Sequence, residues 1–461
     1  MTFPRIFTFG YIILLPAIFC YAQVPPANFD ESKVPNYVLT DPLLKKDGRK
    51  VDTPELWHEV RRPELLRLFA SEMFGQPLAL QRFRQTTRNK LGQHGRPAFN
   101  GLITTVNHLD TELVLEGKAV RHQIRLGVLP LGSADNTAHS INVLIYTPKT
   151  DDPAKQVPAF VGLNFRGNHT IAADPNIHLG TVWRTPQGGW DGRDNILVPQ
   201  SATEEERGMR ASRWSVEMII ERGYALVTAH YQDFEPDFDG GLRYGVRRFI
   251  YSENETPEPN DANAIATWAW GLSRILDVLV SGKELGLNID PERVAVIGHS
   301  RLGKTALWAG AIDQRFAMVI SNNSGSGGVA LSRREFGETL LLTNTARPHW
   351  FAGNFKKHGR DVQSMPFDQH ELIALVAPRP VYIASAVEDL WADPKGEFLS
   401  VLHADPVYRL LGTDGFAGVR EMPELDKSVG GTIGYHIRTG RHDITEFDWE
   451  QFLDFADRHF K

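Results

Sequence analysis

The octapeptide Gly298-His299-Ser300-Arg301-Leu302-Gly303-Lys304-Thr305 stands between a short apolar run, Arg293 to Ile297, and a stretch of helical character from Thr305 to Ala311. Strand, glycine-bracketed turn and helix in that order admit few folds, because the turn must present its central residues at the end of a buried strand. Two chemistries use such a turn. Read as G-x-x-x-x-G-K-[ST], the segment is a phosphate-cradling loop with Lys304 on the phosphates and Thr305 on a magnesium ion. Read around Ser300, it lifts a serine nucleophile above a sheet.

Residues outside the octapeptide favour the serine. Arg5 precedes an apolar run from Ile6 to Phe19 and the small-residue end Cys20-Tyr21-Ala22. This pattern predicts a secretory signal peptide over residues 1–22, too short in its apolar core to span a bilayer as a mature helix. The expected organisation is then that signal followed by a single catalytic domain over residues 23–461, secreted or periplasmic, with no membrane span in the mature chain. Lipid attachment at Cys20 is disfavoured by the bulk of Phe19 before it. Exported compartments hold little nucleoside triphosphate, so a phosphate loop there lacks a substrate. Strand-like runs at Ile141 to Tyr146, Ala159 to Leu163 and Tyr224 to Thr228 also precede the motif, whereas a nucleotide loop normally follows the first strand of its domain. The next strand, Ala317 to Ile320, ends in Ser321-Asn322-Asn323, with no carboxylate to hold a metal.

The formal charge of −6 becomes −7 once Arg5 leaves with the signal, which argues against a nucleic-acid partner. The one cysteine lies within the signal, so the mature chain has neither disulfides nor thiol chemistry and must rely on its core.

Along the rest of the chain, strands alternate with helices. The stretch from Val24 to Pro63 is rich in proline and charge and reads as a surface wrap. Pro63 to Met73, Met209 to Arg222, Asp261 to Leu279 and Thr445 to Phe460 read as helices, with a polar loop from His230 to Glu258 between two of them. Such alternation predicts a mostly parallel central sheet with helices on both faces, a three-layer α/β sandwich, with its active site at the carboxyl ends of the strands.

A serine hydroxyl is a poor nucleophile until a base takes its proton, and the base needs an orienting carboxylate. In hydrolases of this architecture the chain order is serine, acid, histidine. The strand Arg379 to Ser385 delivers Glu388-Asp389-Leu390-Trp391-Ala392-Asp393 to a strand end, with Asp389 the first choice of acid and Glu388 and Asp393 the alternates. The strand Thr432 to Arg438 is followed by Thr439-Gly440-Arg441-His442-Asp443, which sets His442 in a loop before the last helix. Each of the three also has a plainer explanation, as a helix cap, a turn former and a surface side chain. Their appearance at strand ends in the required order is what joins them.

These residues carry a resemblance. Gly298 to Lys304 resembles the G-x-S-R-x-G-K signature of the glucuronoyl esterases, carbohydrate esterase family 15, whose elbow has its glycine three residues after the serine. Further similar segments are Ser324 to Gly328, Phe336-Gly337-Glu338, His349-Trp350-Phe351, Pro366 to His370, Ala377 to Pro380 and Gly440 to Asp443. The resemblance implies an α/β-hydrolase fold and cleavage of esters of 4-O-methyl-glucuronic acid on glucuronoxylan, including those to lignin alcohols. It implies no metal and no organic cofactor. Ser300 would be the nucleophile, His442 the base and Asp389 the acid. Arg301 would serve the oxyanion site, and Lys304, Glu338 and Trp391 would contact the uronate ring. Fungal members carry the acid as a glutamate just before the Ser-Gly-Ser-Gly segment, where this chain has Asn323, so Asp389 takes the position used by many bacterial members.

Elementary electrostatics points the same way. A uronate ester is uncharged at its carboxyl and becomes an oxyanion in the tetrahedral intermediate, so a fixed cation beside the serine favours the transition state over the ground state. Cations at the start of a helix oppose its dipole and are an odd choice without an anion to meet, which singles out Arg301 and Lys304. Arg166-Gly167-Asn168-His169 occupies the place where such folds complete the oxyanion hole. The expected molecule is a monomeric esterase acting through an acyl-enzyme. An acetyl xylan esterase of the same fold is the alternative, and a carbohydrate-binding protein without chemistry is the third reading.

Overall fold

The computed structural model describes residues 26–76, 102–130, 138–152, 154–189, 197–251 and 254–461; the expected signal peptide lies outside them. The centre is a ten-stranded sheet. Its strands are β1 (Leu102–Val114), β2 (Ala119–Pro130), β3 (His139–Pro148), β4 (Val157–Asn164), β7 (Ala225–His230), β8 (Ile289–His299), β9 (Met318–Asn322), β10 (Val381–Ala386), β11 (Lys427–Gly430) and β12 (Ile433–Arg438), while β5 (Thr181–Arg184) and β6 (Val198–Ser201) form a separate hairpin. The spatial order is β1-β2-β3-β7-β4-β8-β9-β10-β12-β11. From β7 through β12 every pairing is parallel; β1, β2, β3 and β11 add antiparallel edges.

Parallel strands buried on both faces read as continuous apolar runs, and here the two faces sort residue by residue. Ala159, Val161 and Leu163 of β4, Val294 and Val296 of β8, and Val381 and Ile383 of β10 join one core, covered by the helices Ala264–Val280, Arg301–Ile312 and Pro394–Leu410. Phe160, Ala295, Ile297, Tyr382 and Ala384 point the other way, into a second core under Val216–Glu221 and Glu446–Phe460. The three-layer expectation describes this molecule.

Two helices depart from expectation. The first begins at Pro54, capped by the Thr53 side chain, and continues past Pro63 through wider turns at Trp57–Arg61 and Ala70–Phe74 around the α-helical Arg62–Phe69. A wide turn just before Pro63 accommodates its missing N–H, so the proline lies inside the helix rather than at its start. The second, expected over Met209 to Arg222, is helical only at Val216–Glu221, after a single 3-10 turn at Ala211–Arg213. There the N–H groups of Ala211, Arg213 and Trp214 donate three residues back rather than four, to Gly208 O, Arg210 O and Ala211 O at 3.0 Å, those of Gly208 and Arg210 donate to His169 O and Thr170 O at 3.0 and 2.9 Å, and Arg210 and Arg213 line the cleft. Among the described residues no helix is long and apolar enough to cross a membrane.

The segment after residue 26 lies on the body of the domain. Thr40 Oγ1 donates to Glu371 at 2.7 Å, Arg334 Nη2 donates to Glu31 at 2.6 Å, and Gly337 N donates to Asn28 O at 2.8 Å.

Candidate active site

Ser300 sits between β8 and the helix Arg301–Ile312 with φ 57 and ψ −131, a conformation L-residues adopt only under constraint. The constraint is visible. Ser300 N donates to Asn322 O of β9 at 2.8 Å, and the N–H groups of Gly303 and Lys304 donate back to Ser300 O at 2.8 and 3.2 Å. A Cβ on Gly298 would stand 1.9 Å from Leu302 O, so only glycine lets the strand pass this close to the helix start. Gly303 faces Ser321 Oγ and Ser324 Cβ at 3.0 Å, which explains a glycine three residues after the serine rather than two. The Ser300 side chain makes no capping bond to its helix, so the helix-cap explanation falls away.

Asp389 and His442 come from neighbouring strand ends. Beyond the β10 and β12 pairing, Val387 N donates to Arg438 O at 2.9 Å and Glu388 N to Gly440 O at 3.0 Å, zipping the acid loop to the histidine loop. His442 Nδ1 lies 2.6 Å from Asp389 Oδ2, with the carboxylate buried and the imidazole 40% exposed. Since Nδ1 is engaged, Nε2 is the nitrogen left to face the cleft that Ser300 and His442 both line. Asn323 donates its amide to the same Asp389 oxygen at 2.9 Å.

The histidine loop is held from beneath. Arg438 Nε donates to Asp448 at 2.8 Å, and its Nη2 donates to Arg441 O and Asp443 O at 3.0 and 2.7 Å. Asp448 also meets His436 Nε2 at 2.9 Å and accepts from Asn322 Nδ2 at 3.1 Å, while Asn322 Oδ1 meets His299 Nδ1. Burial works to raise the Asp448 pKa, but His436 and Arg438 hold it below the usual carboxylate range. The His299 ring lies 4.5 Å from the His442 ring, and burial, then His442 and Arg213, push its pKa well down, so His299 is neutral at pH 7.

Arg301 is tied to a residue that sequence reasoning passed over. Asp237, buried in the polar loop after β7, pairs with Arg301 Nη1, accepts from Tyr231 OH at 2.9 Å and Trp350 Nε1 at 2.7 Å, and meets His349 Nε2 at 2.8 Å. Burial would raise its pKa, yet Arg301, His349 and Trp350 together hold it far below the ordinary value, so it is a fixed anion. The guanidinium lies over the Trp350 and Phe165 rings, 5.0 and 5.7 Å from their centres. The His349-Trp350 pair was a usable signal, since both side chains can donate to one buried carboxylate; which carboxylate was not readable.

Lys304 is buried and donates to Ser324 O at 2.7 Å, with Glu338 Oε2 at 3.3 Å; Thr305 Oγ1 donates to Arg301 O at 2.9 Å. Both groups a phosphate loop would use are thus engaged inside the protein. Glu338 N donates to Trp391 O at 2.8 Å, which places Lys304, Glu338 and Trp391 in one chain of contacts, and Trp391 is 45% exposed. The alternate acids are committed elsewhere: Glu388 meets Arg441 at 3.3 Å, and Asp393 pairs with Arg334 and caps the helix Pro394–Leu410. Arg166 lines the cleft at the end of β4, and Asn164 Oδ1 accepts from Gly167 N at 2.8 Å to shape that turn.

Residues 209–412 match the family model described as glucuronyl esterase, fungi. The chain is similar to carbohydrate esterase MZ0003 from an unknown prokaryotic organism, 43% identical over 440 residues that cover 95% of this chain and 93% of the relative. It is 32% identical to 4-O-methyl-glucuronoyl methylesterase 1 of Wolfiporia cocos over 52% of this chain and 60% of that one. Among solved structures, a glucuronoyl esterase from Solibacter usitatus superposes with a TM-score of 0.80 at 42% identity, covering 93% of this chain and 100% of the other.

Proposed function

The chain belongs to carbohydrate esterase family 15, the glucuronoyl esterases, and is a carboxylic ester hydrolase of the α/β-hydrolase fold; from that premise we propose that it hydrolyses esters of (4-O-methyl-)glucuronic acid on glucuronoxylan, including lignin-carbohydrate esters, after export from the cell. The observation that carries the reading is the 2.6 Å contact between His442 Nδ1 and Asp389, at the edge of the cleft that Ser300 also lines.

In this reading His442 Nε2 takes the Ser300 proton as Oγ attacks the ester carbonyl, and Asp389 fixes the imidazole tautomer and stabilises the imidazolium. Arg301, held by Asp237, adds positive charge where the oxyanion forms, at no reorganisation cost because its position is set before substrate arrives. The imidazolium returns its proton to the departing alcohol, leaving a uronoyl ester on Ser300. Water, activated by the same histidine, releases the uronate. Lys304, Glu338 and Trp391 hold the sugar ring, the first two through hydroxyls and the last by stacking.

The test is a side-by-side assay of glucuronate, galacturonate and acetyl esters with wild type and Ser300→Ala. Glucuronate esters should turn over best, and the variant should lose at least about 10³-fold in kcat while remaining folded. Activity on acetylated xylan with none on glucuronate esters would replace this reading with an acetyl esterase.

A further inference from the structure

Resting on the uronate-esterase reading, the cleft divides at Ser300. An acyl carbon at the serine carries the sugar on one side and the alcohol on the other. Lys304, Glu338 and Trp391 take the sugar; none of them lines the cavity of about 240 Å³ that contains Ser300, Arg301 and His442. That cavity is therefore left for the alcohol, and its walls are cationic. Arg166, Arg210, Arg213 and Arg347 line it together with Arg301.

Among the described residues, the two carboxylates paired with these arginines are already committed. Asp237 holds Arg301, and Asp443 lies 2.6 Å from Arg213 Nε. The half-buried Arg210 guanidinium makes no hydrogen bond or ion pair with any of the described residues. The arginines also act on one another. Burial, followed by Arg210, Arg301 and Arg213, pushes the Arg166 guanidinium down to about 10, and Arg213 is lowered by burial and by Arg210 despite Asp443. Gathering like charges in a concave site costs free energy that a bound anion would recover. Phe165 and Trp214 add ring surface to the same walls.

We propose that the arginine-walled side of the cleft is a subsite for an alcohol that carries its own carboxylate, so that the enzyme prefers uronate esters of acidic alcohols to those of neutral ones. Arg210 is the specificity-determining cation, since its charge has no partner among the described residues, and Arg213 and Arg166 supply the surrounding field. A field directed only at the transition-state oxyanion would accelerate both kinds of ester alike and would give no such preference.

The experiment compares kcat/KM for benzyl glucuronate and 4-carboxybenzyl glucuronate in wild type, Arg210→Gln and Arg210→Lys, at low and at about 0.15 M ionic strength. The ratio within each variant cancels any loss of active protein. Wild type should favour the carboxybenzyl ester by roughly tenfold or more at low salt, the contribution of a charge-assisted hydrogen bond. The ratio should fall toward unity in Arg210→Gln, stay intermediate in Arg210→Lys, and shrink as salt rises. A wild-type ratio near or below unity, or one retained in Arg210→Gln, overturns the subsite and leaves the uronate-esterase reading standing. No turnover of either ester overturns that reading, and the subsite with it.

Discussion

Asn323 donates its side-chain amide at 2.9 Å to Asp389 Oδ2, the oxygen that also meets His442 Nδ1 at 2.6 Å. Asn323 therefore holds the carboxylate by a neutral donor without competing with it for the imidazole, and its backbone, at φ 45, aims the side chain into the β10 and β12 ends. An acid at position 323 would instead stand within reach of the histidine.

The first prediction follows from that proximity. Asp389→Ala should lower kcat by about 10³–10⁴-fold, because the imidazole loses both tautomer control and the charge that stabilises its protonated form. Adding Asn323→Glu to the same chain should recover part of this loss, since the new carboxylate enters the space that Asp389 vacated. Steady-state kinetics of the single and double variants check it; a double variant no faster than Asp389→Ala would show that position 323 cannot carry the acid here.

Asp237 supports a second prediction. Its carboxylate takes up four donors, among them the Arg301 guanidinium, and an asparagine there presents one acceptor oxygen and brings donors of its own. Breaking a buried charge pair by removing one partner costs roughly 3–5 kcal/mol. Asp237→Asn should therefore destabilise the protein by about that amount in urea titration, and should also lower kcat by roughly ten- to a hundredfold as Arg301 loses its fixed position.

The chain order of the proposed triad was legible because each member follows an apolar run at a strand end. Ser300 after β8, Asp389 after β10 and His442 after β12 each sit where a buried strand meets a polar turn. Asp237 was not legible. It lies in a long polar loop after β7, and its importance comes from His349 and Trp350, more than a hundred residues away. Local pattern carries no signal for such a meeting. The helix expected over Met209 to Arg222 failed for a related reason: apolar spacing there is compatible with a helix, but its first half is tied to the distant loop at His169 and Thr170 and closes in turns of three residues, with two arginines lining the cleft. The N-terminal wrap was readable as surface from its proline and charge, yet nothing in it foretold that Phe29 would lie 6.4 Å from Trp391.

Glu397 gives a pH prediction. Fully buried, it accepts from Gly325 N at 2.9 Å and meets Ser385 Oγ at 2.6 Å, bridging the loop after β9 to the end of β10. Burial pushes its pKa up from 4.5 to about 8, outweighing those two hydrogen bonds. Between these values the folded protein holds a proton that the unfolded chain has released. The stability it contributes is thus complete below about pH 4.5 and is lost as pH rises through about 8. Glu397→Gln mimics the protonated acid and cannot ionise. Its melting temperature should match wild type near pH 5, exceed it increasingly up to about pH 8 and by a steady margin above that, whereas Glu397→Ala should melt lower throughout.

The role proposed for Trp391 separates sugar binding from chemistry. Trp391 is 45% exposed and its ring lies 6.4 Å from that of Phe29, whereas the buried Trp350 lies under Arg301 and donates to Asp237. Removing a half-exposed ring costs little core packing, so Trp391→Ala should keep the melting temperature close to wild type. Loss of a stacking surface weakens ground state and transition state equally when the ring sits on a part of the sugar that does not react. KM for glucuronate esters should then rise roughly three- to tenfold with kcat nearly unchanged, the value of one aromatic contact of about 0.5–1.5 kcal/mol. Trp350→Ala should instead lower kcat, because the ring it removes fixes the cation beside the serine. A drop in kcat for Trp391→Ala with KM unmoved would show that the indole acts on the reacting centre and not on the sugar.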